Sequence, residues 1–279
     1  MENKNQAFNI IAGPCSIESE AQLLDVASAI INSGSSALRG GIFKMRTSPS
    51  AFQGFKEDCF PWINKVKTKT NLSLVSEITD PRQVDLLQDK VDVFQVGSRN
   101  MYNYELLKEL SHLNKSIILK RGFSATVQEW IKAAEYLQSS GNPNIILCER
   151  GIRTFETSTR NTLDLNSVAY LKENTDFKVF VDPSHGTGVR NLIKPLSLAA
   201  IAAGADGLLV EVHPQPESAL SDGHQSLNCK DFLNLVEDAK KLLTLFNKTL
   251  NNSEEFKKEF NVQSLVNTIA TNSSHEIRI

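Results

Sequence analysis

The stretch between residues 37 and 54 carries side chains suited to binding an anionic ligand. Arg39, Lys44 and Arg46 lie close together there without a helical pattern, and Gly40 and Gly41 stand among them. Glycine lets the backbone approach another group closely, so these residues could form a binding loop. A solvated basic turn would explain the same residues. What lies beside this stretch in the fold decides between the two interpretations.

Four other residues could together hold a metal ion, although they are far apart in the sequence. Cys15, His185, Glu211 and Asp222 offer a thiolate, an imidazole and two carboxylates. This mixture suits divalent Zn, Mn or Fe better than Mg or Ca. Spacing alone does not identify a site, and a packed cysteine, a structural histidine and two ordinary acids are an equally good interpretation.

Short apolar runs alternate with helical patterns along most of the chain. Eight runs, most of them rich in Val, Ile and Leu, are predicted as strands, the first ending at residue 13 and the others spanning 37–43, 72–75, 91–96, 116–119, 144–147, 178–181 and 207–212. Predicted helices follow them at 19–31, 57–69, 81–88, 103–111, 126–139, 165–174, 191–203 and 230–245. Apolar strands alternating with helices indicate a parallel sheet with both faces covered.

Repetition of this strand and helix unit predicts an α/β protein built as a single (β/α)8 TIM barrel. An open doubly wound sheet is the alternative, but the GxGxxG turn expected after its first strand is missing from the sequence. We assign residues 1–247 to the catalytic barrel. The polar segment 248–279 is expected to be a partly ordered C-terminal tail without a catalytic role.

Charged residues are concentrated at the C-terminal ends of the predicted strands, where the active site of such a barrel lies. Burying many charges without partners costs several kcal/mol per ion, so they must pair with one another or with a ligand. Lysine and arginine at several strand ends suit a phosphate together with a carboxylate, or two phosphates. The polar residues at the strand ends are Cys15, Arg39, Lys44, Arg46, Glu77, Gln95, Arg99, Lys120, Arg121, Glu149, Arg150, Arg153, Asp182, His185, Glu211 and His213.

The composition argues against several classes of protein. The chain has 279 residues, of which 41% are hydrophobic, and this is enough for one large core. Its formal net charge of -2 argues against binding to nucleic acid or to an anionic membrane. The sequence contains no apolar stretch as long as a signal peptide or a membrane span, and its four cysteines lack CxxC spacing. We therefore expect a cytoplasmic protein with reduced thiols.

Many short motifs follow one another in a fixed order from about residue 10 to residue 245. They include Gly13-Pro14-Cys15-Ser16, Gly97-Ser98-Arg99-Asn100, Leu119-Lys120-Arg121-Gly122, Cys148-Glu149-Arg150-Gly151, Asp182-Pro183-Ser184-His185, Val210-Glu211-Val212-His213 and Ser221-Asp222-Gly223. In this order they resemble the motifs of 3-deoxy-D-arabino-heptulosonate 7-phosphate (DAHP) synthase of type I, beta subgroup. The resemblance spans essentially the whole predicted barrel.

The resemblance implies a transferase that condenses phosphoenolpyruvate (PEP) with D-erythrose 4-phosphate and water, releasing phosphate. This reaction is the first step of the shikimate pathway to the aromatic amino acids. The resemblance also implies a homodimer or homotetramer and one divalent metal ion of the Mn, Zn, Fe or Co class. The implied metal ligands are Cys15, His185, Glu211 and Asp222.

The resemblance further implies roles for the residues around the metal. PEP would contact Arg39, Lys44, Arg99, Lys120 and Arg150, with Glu77 nearby. Erythrose 4-phosphate would contact Arg46, Thr47 and Ser48. The candidate catalytic residues are Lys44, Glu77, Lys120 and His185, of which Lys120 or His185 could move protons. We add two strand-end residues, Arg153 and Asp182, to the substrate-binding set.

Three other functions are compatible with parts of the pattern. The 3-deoxy-D-manno-octulosonate 8-phosphate (KDO8P) synthases, which use PEP and arabinose 5-phosphate, share the barrel. Their typical Lys-Ala-Asn-Arg-Ser-Ser loop differs from the Lys-Met-Arg-Thr-Ser sequence at 44–48. A Schiff-base aldolase could use Lys44 or Lys120 as its nucleophile. A non-catalytic binding protein on a retired barrel should have lost some of these charges, which are costly to bury.

Met45 departs from the resemblance, because the family usually has proline at this position. Proline fixes φ and would restrain the loop that carries Arg46. We therefore predict that Met45→Pro leaves the KM for PEP nearly unchanged and that any change is a lower KM for erythrose 4-phosphate. Steady-state kinetics with each substrate varied in turn measure both values. A main effect on PEP would contradict the assignment of Arg39 and Lys44 to PEP and of Arg46 to the aldehyde.

Overall fold

Eight parallel strands form the centre of the protein in the computed structural model, which describes residues 6–46, 48–260 and 262. The strands are β1 (Gln6–Gly13), β2 (Ala37–Arg39), β3 (Leu74–Ile78), β4 (Val93–Val96), β5 (Ser116–Lys120), β6 (Ile145–Glu149), β7 (Lys178–Val181) and β8 (Gly207–Glu211). Each pairs with the next, and β1 pairs with both β2 and β8, which closes the sheet. The predicted (β/α)8 barrel is therefore confirmed.

Helices follow the strands in the predicted order, and most of them cover the outside of the barrel. They are α1 (Glu20–Ser33), α2 (Phe60–Thr70), α3 (Val84–Leu87), α4 (Tyr104–Ser111), α5 (Val127–Gln138), α6 (Leu165–Asn174), α7 (Pro183–Thr187), α8 (Arg190–Ala202), α9 (Cys229–Leu245) and α10 (Ser253–Glu259). The short helix α7 directly after β7 was not predicted. Within the described part of the chain, no helix has both the length and the apolar character needed to cross a membrane.

Side-chain caps stand at the starts of the segments predicted as helices at 19–31, 81–88 and 126–139. Ser19 accepts a hydrogen bond from the backbone N–H of Gln22 at the start of α1. Asp80 accepts one from the backbone N–H of Arg82 and so begins a 3-10 turn that leads into α3. Thr126 and Glu129 form a reciprocal capping box at α5. Such caps satisfy N–H groups that have no partner inside a helix.

Strand β2 is shorter than the predicted run 37–43. It ends at Arg39, where Gly40 and Gly41 turn the chain over the loop that follows β1. A Cβ on Gly41 would lie 2.7 Å from the carbonyl oxygen of Cys15, which explains why only glycine allows this approach. The residues after the turn enter the loop around the predicted binding residues instead of extending the strand.

The described part of the polar segment 248–279 packs against the barrel. A ninth strand, β9 (Lys248–Leu250), pairs in parallel with the start of β1. Phe256 and Phe260, within and directly after α10, then pack against Phe180 and the other apolar side chains inside the barrel. Glu259 forms an ion pair with Lys178 at the start of β7. The rest of the segment that was expected to be a partly ordered tail, residues 261 and 263–279, lies outside the described residues.

We predict that Phe256→Ala destabilises the protein because this side chain is fully buried where α10 closes the barrel. Removing a buried phenylalanine costs about 3–5 kcal/mol. Urea unfolding measures the change in free energy. Phe155→Ala is the matched control, since Phe155 is 97% exposed and its loss should change stability by less than about 0.5 kcal/mol. Equal losses in the two variants would show that α10 does not support the core.

Candidate active site

A polar cleft of about 290 Å³ opens at the C-terminal ends of the barrel strands. This is the end of the barrel where the sequence predicted the active site, and several of the predicted residues line it. The lining residues include Lys44, Met45, Arg46, Ser48, Glu77, Arg99, Lys120, Phe123, Arg150, Arg160, His185 and Asp222. Thr47, the remaining residue of the predicted aldehyde loop, falls outside the described residues.

Four potential metal ligands converge beside the cleft. One ligand atom from each of Cys15, His185, Glu211 and Asp222 lies within 4.8 Å of the other three. Cys15 follows β1, His185 lies in α7, and Glu211 ends β8. Asp222 lies in the loop after β8 with a φ of 53°, a backbone conformation uncommon for a residue other than glycine. The fold therefore gathers side chains that are separated by up to 207 positions in the sequence.

The donor set fits a single divalent cation. The Cys15 Sγ and Asp222 Oδ2 atoms are 3.2 Å apart, and His185 Nε2 is 3.3 Å from Glu211 Oε1. Bonds of about 2.0–2.3 Å to a central ion can connect atoms at such separations. Without an ion, burial and the neighbouring Glu211 carboxylate raise the pKa of Cys15 to about 12. A bound cation would favour the thiolate and compensate the carboxylates.

Asp182 holds His185 in position from the side opposite the ligand cluster. Its Oδ2 atom is 2.8 Å from His185 Nδ1, and its Oδ1 atom accepts a hydrogen bond from the His185 backbone N–H. Lys120 Nζ lies 2.5 Å from the same Oδ2. Burial alone would raise the pKa of Asp182, but His185 and Lys120 hold this pKa well below its usual value. The contact fixes the imidazole with Nε2 turned toward the ligand cluster.

Two further ion pairs connect strand ends around the cleft. Arg39 Nη1 is 3.1 Å from Glu211 Oε1, and Lys44 Nζ is 3.3 Å from Glu77 Oε2. A Cβ on Gly97 would lie 2.1 Å from Glu77 Oε1, so glycine is needed there to leave room for this carboxylate. Arg39, Lys44 and Glu77 are therefore positioned before a ligand binds.

Three arginines surround one aromatic ring at the cleft. The guanidinium carbons of Arg99, Arg150 and Arg153 lie 5.4, 4.7 and 4.9 Å from the centre of the Phe123 ring. Arg150 is buried, and no described carboxylate lies within ion-pair distance of it. Burial lowers the pKa of Arg150 to about 10. An anion beside Arg150 would supply the close charge partner that the described residues do not provide.

Some strand-end residues have structural partners away from the cleft. Arg121 Nη1 lies 3.1 Å from Glu149 Oε2 and 2.8 Å from Asp164 Oδ2. His213 faces Glu18 at 3.4 Å. Arg153 contacts the Phe123 ring, but it does not line the cleft itself. Position at a strand end therefore does not by itself place a side chain in the site.

Three residues of the site were missed by sequence reasoning. Phe123 lies just after β5, where its sequence context indicates an ordinary apolar residue. Arg160 lies in a polar loop, where a solvated arginine is the usual interpretation. Gln225 lies three positions after Asp222, and its amide donates a hydrogen bond to Glu211 Oε2 at 2.6 Å. Only the proximity of Gln225 to the Ser221-Asp222-Gly223 motif could have drawn attention to it.

Comparison with known proteins identifies relatives over most of the chain. A family model described as "DAHP synthetase I family" matches residues 1–264. A curated relative from Thermotoga maritima, named phospho-2-dehydro-3-deoxyheptonate aldolase, is 46% identical over 238 residues, which are 85% of this chain and 70% of the relative. A 2-dehydro-3-deoxyphosphooctonate aldolase from Syntrophotalea carbinolica is 33% identical over 241 residues, 80% of this chain and 86% of that relative.

Solved structures show the same fold. The crystal structure of the Thermotoga maritima phospho-2-dehydro-3-deoxyheptonate aldolase (DAHP synthase) has a TM-score of 0.85 at 45% identity, covering 88% of this chain and 72% of that one. A truncated form of the 3-deoxy-D-arabino-heptulosonate 7-phosphate synthase from the same organism has a TM-score of 0.82 at 42% identity. This match covers 88% of this chain and 90% of that one.

We predict that Asp182→Asn destabilises the protein by about 3–5 kcal/mol, because it leaves the buried Lys120 ammonium without its charge partner. Thermal and urea unfolding measure the loss. Asp176→Asn is the matched control, since Asp176 is exposed just before β7 and its change should cost less than about 0.5 kcal/mol. If the two variants are equally stable, the contact of Asp182 with Lys120 does not contribute to the folded state.

Proposed function

Because this chain belongs to the DAHP synthetase I family, we propose that it condenses PEP with D-erythrose 4-phosphate and water to give DAHP and phosphate. Membership in the family confirms the resemblance found in the motifs and makes the chain an enzyme, a transferase of the DAHP synthase type. The observation that carries a metal-dependent reaction of PEP is the position of the Cys15, His185, Glu211 and Asp222 cluster beside a cleft lined with cations. The Lys-Met-Arg-Thr-Ser sequence at 44–48 favours erythrose 4-phosphate as the aldehyde.

The cations of the cleft account for PEP, which carries a phosphate and a carboxylate on a small carbon frame. Lys44, Lys120, Arg99 and Arg150 line the cleft, and Arg39 lies behind it against Glu211. Arginine can bind either anionic group in a bidentate manner, and lysine contributes a point charge. These residues would hold PEP in a reactive orientation and stabilise the negative charge on phosphate as it departs.

The aldehyde substrate would lie toward the loop after β2. Arg46 Nη1 donates a hydrogen bond to Ser221 Oγ at 2.8 Å and lies 3.8 Å from Asp222 Oδ2. Ser48 lines the same side of the cleft. We assign the phosphate of the aldehyde to Arg46, Thr47 and Ser48.

The cofactor of this proposal is one divalent metal ion of the Mn, Zn, Fe or Co class, held by Cys15, His185, Glu211 and Asp222. When bound, such an ion acts as a Lewis acid on a carbonyl oxygen or lowers the pKa of a water molecule. In the overall reaction C3 of PEP forms a bond with the aldehyde carbon, water adds at C2, and the C2–O bond to phosphate is broken. The cationic residues act on the phosphate and carboxylate ends of PEP.

Lys120 is better placed than His185 to move a proton in this reaction. Both nitrogens of His185 are engaged, since Nδ1 faces Asp182 at 2.8 Å and Nε2 belongs to the proposed ligand cluster. Lys120 also contacts Asp182, but its side chain lines the cleft where substrate would bind. We therefore assign the proton transfer to Lys120 and the role of metal ligand to His185.

The experiment that tests this proposal compares two aldehydes, erythrose 4-phosphate and arabinose 5-phosphate, with metal-free and metal-reloaded protein. We expect a higher kcat/KM for erythrose 4-phosphate, no turnover after chelation, and recovery on addition of Mn, Zn, Fe or Co. Release of phosphate from PEP measures the rate. Preference for arabinose 5-phosphate would contradict this proposal. It would instead give this chain the function suggested by its 2-dehydro-3-deoxyphosphooctonate aldolase relatives, which match at lower identity.

Two controls separate the metal mechanism from the alternatives. Cys15→Ala should abolish metal-dependent turnover while the circular dichroism spectrum stays unchanged, and an unchanged rate would remove Cys15 from the ligand set. Borohydride should trap no adduct with substrate. A trapped adduct together with turnover that resists chelation would establish a Schiff base on Lys44 or Lys120 instead.

A further inference from the structure

Gln225 is a buried amide whose two polar atoms have different partners. Its side chain is fully buried, and its Nε2 donates to Glu211 Oε2 at 2.6 Å. Its Oε1 accepts a hydrogen bond from Arg160 Nη1 at 2.8 Å. A cationic donor on Oε1 fixes which end of the amide faces Glu211. Gln225 therefore turns an N–H group, and never its carbonyl oxygen, toward this carboxylate.

The position of Glu211 depends on this contact. Its Oε1 atom faces Arg39 at 3.1 Å and His185 Nε2 at 3.3 Å, whereas its Oε2 atom receives the hydrogen bond from Gln225. Among the described residues, it is therefore the side chain of Gln225 that holds the second oxygen of this carboxylate in place. Without this restraint the carboxylate could rotate about its terminal torsion, which is a soft one.

Arg160 connects this amide to the cleft. Its Nη1 atom, besides bonding to Gln225, lies 3.9 Å from Asp222 Oδ1, and its side chain lines the cleft with 34% of its surface exposed. One loop arginine therefore acts on two members of the proposed ligand cluster, on Asp222 directly and on Glu211 through Gln225. Its guanidinium has further N–H groups with no hydrogen-bond partner among the described residues.

The loop that carries Arg160 is anchored to the helix that carries His185. The backbone N–H of Arg160 donates to the carbonyl of Thr187 at 2.8 Å, and the Asn161 side chain donates to the carbonyl of His185 at 3.0 Å. A Cβ on Gly188 would lie 2.6 Å from the Cβ of Arg160, and Gly188 has a φ of 67°. Glycine at this position thus lets the arginine cross the end of α7 at close range.

We propose that Arg160 and Gln225 are positioning residues that orient Glu211 for metal binding, as a relay from the cleft to the ligand cluster. This inference rests on the metal site of the proposed function. Groups that hydrogen-bond to metal ligands fix the orientation of those ligands, and their loss costs about 10- to 100-fold in metal affinity. Through this relay Arg160, which is not itself a ligand, affects the orientation of Glu211 in the metal site.

The test measures the affinity of the full-length protein for Co²⁺ by competition with a chromophoric chelator, in the absence of substrates. We expect Gln225→Met, which keeps the side-chain length but removes both hydrogen bonds, to weaken binding by about 10- to 100-fold. Arg160→Leu should weaken it in the same direction. In the double variant the two effects should not multiply, because both changes break the same relay. The Co²⁺ absorption spectrum should change in all three variants.

Matched variants make each outcome decisive. Arg160→Lys keeps a donor for Gln225 and should recover part of the affinity, whereas Arg82→Leu removes an exposed charge paired with Asp80 and should leave the affinity within about twofold. If Gln225→Met does not fold, the comparison of Arg160→Leu with Arg160→Lys tests the relay alone. Unchanged affinity and spectrum in folded variants, or effects that multiply fully, would overturn the inference. Normal Co²⁺ binding without turnover of either aldehyde would count against the proposed function only.

Discussion

Two fully buried carboxylates, Asp182 and Glu211, require positive partners at the mouth of the barrel, and the arrangement of the site follows from this requirement. Lys120 faces Asp182 and Arg39 faces Glu211, while His185 lies between the two carboxylates and contacts both. Removing Lys120 or Asp182 would leave the other charge buried without its ion-pair partner, and the same holds for Arg39 and Glu211. The ends of β2, β5, β7 and β8 are therefore fixed relative to one another before substrate binds.

The two ends of the barrel are held together by different interactions. Polar contacts hold the C-terminal end, where side chains must remain available to a ligand. At the opposite end Phe256 and Phe260 fill the barrel with apolar surface, and Glu259 adds an ion pair with Lys178. Apolar burial there stabilises the fold without restricting the site. This division agrees with the general pattern of (β/α)8 enzymes.

The sequence predicted the strands and helices of the barrel well because their apolar periodicity is strong, and it failed where that signal is weak. Strand β9 is three residues long and polar at its start, and α7 is too short to show a period. Strand β2 was predicted too long because Ile42 and Phe43 continue its apolar run beyond the turn at Gly40. Residue types suggested the four potential metal ligands and motif resemblance implied their role, whereas spacing gave no signal. Arg160 and Gln225 acquire their importance only from contacts between distant loops, which no local pattern records.

The arginines around Phe123 show what kind of ligand the cleft can hold. Arg150 is buried without a carboxylate at ion-pair distance among the described residues, and Arg99 and Arg153 lie against the same ring. Cation–π contact with Phe123 stabilises the Arg150 guanidinium by about 0.5–2 kcal/mol, which does not replace the hydration that this buried charge has lost. An anion in the cleft would therefore stabilise the buried charge of Arg150. Because Arg99 and Arg150 already line the cleft, binding energy need not be used to gather them around an anionic ligand. The apolar contacts of Phe256 and Phe260 lie at the opposite end of the barrel and stabilise the fold independently of these arginines.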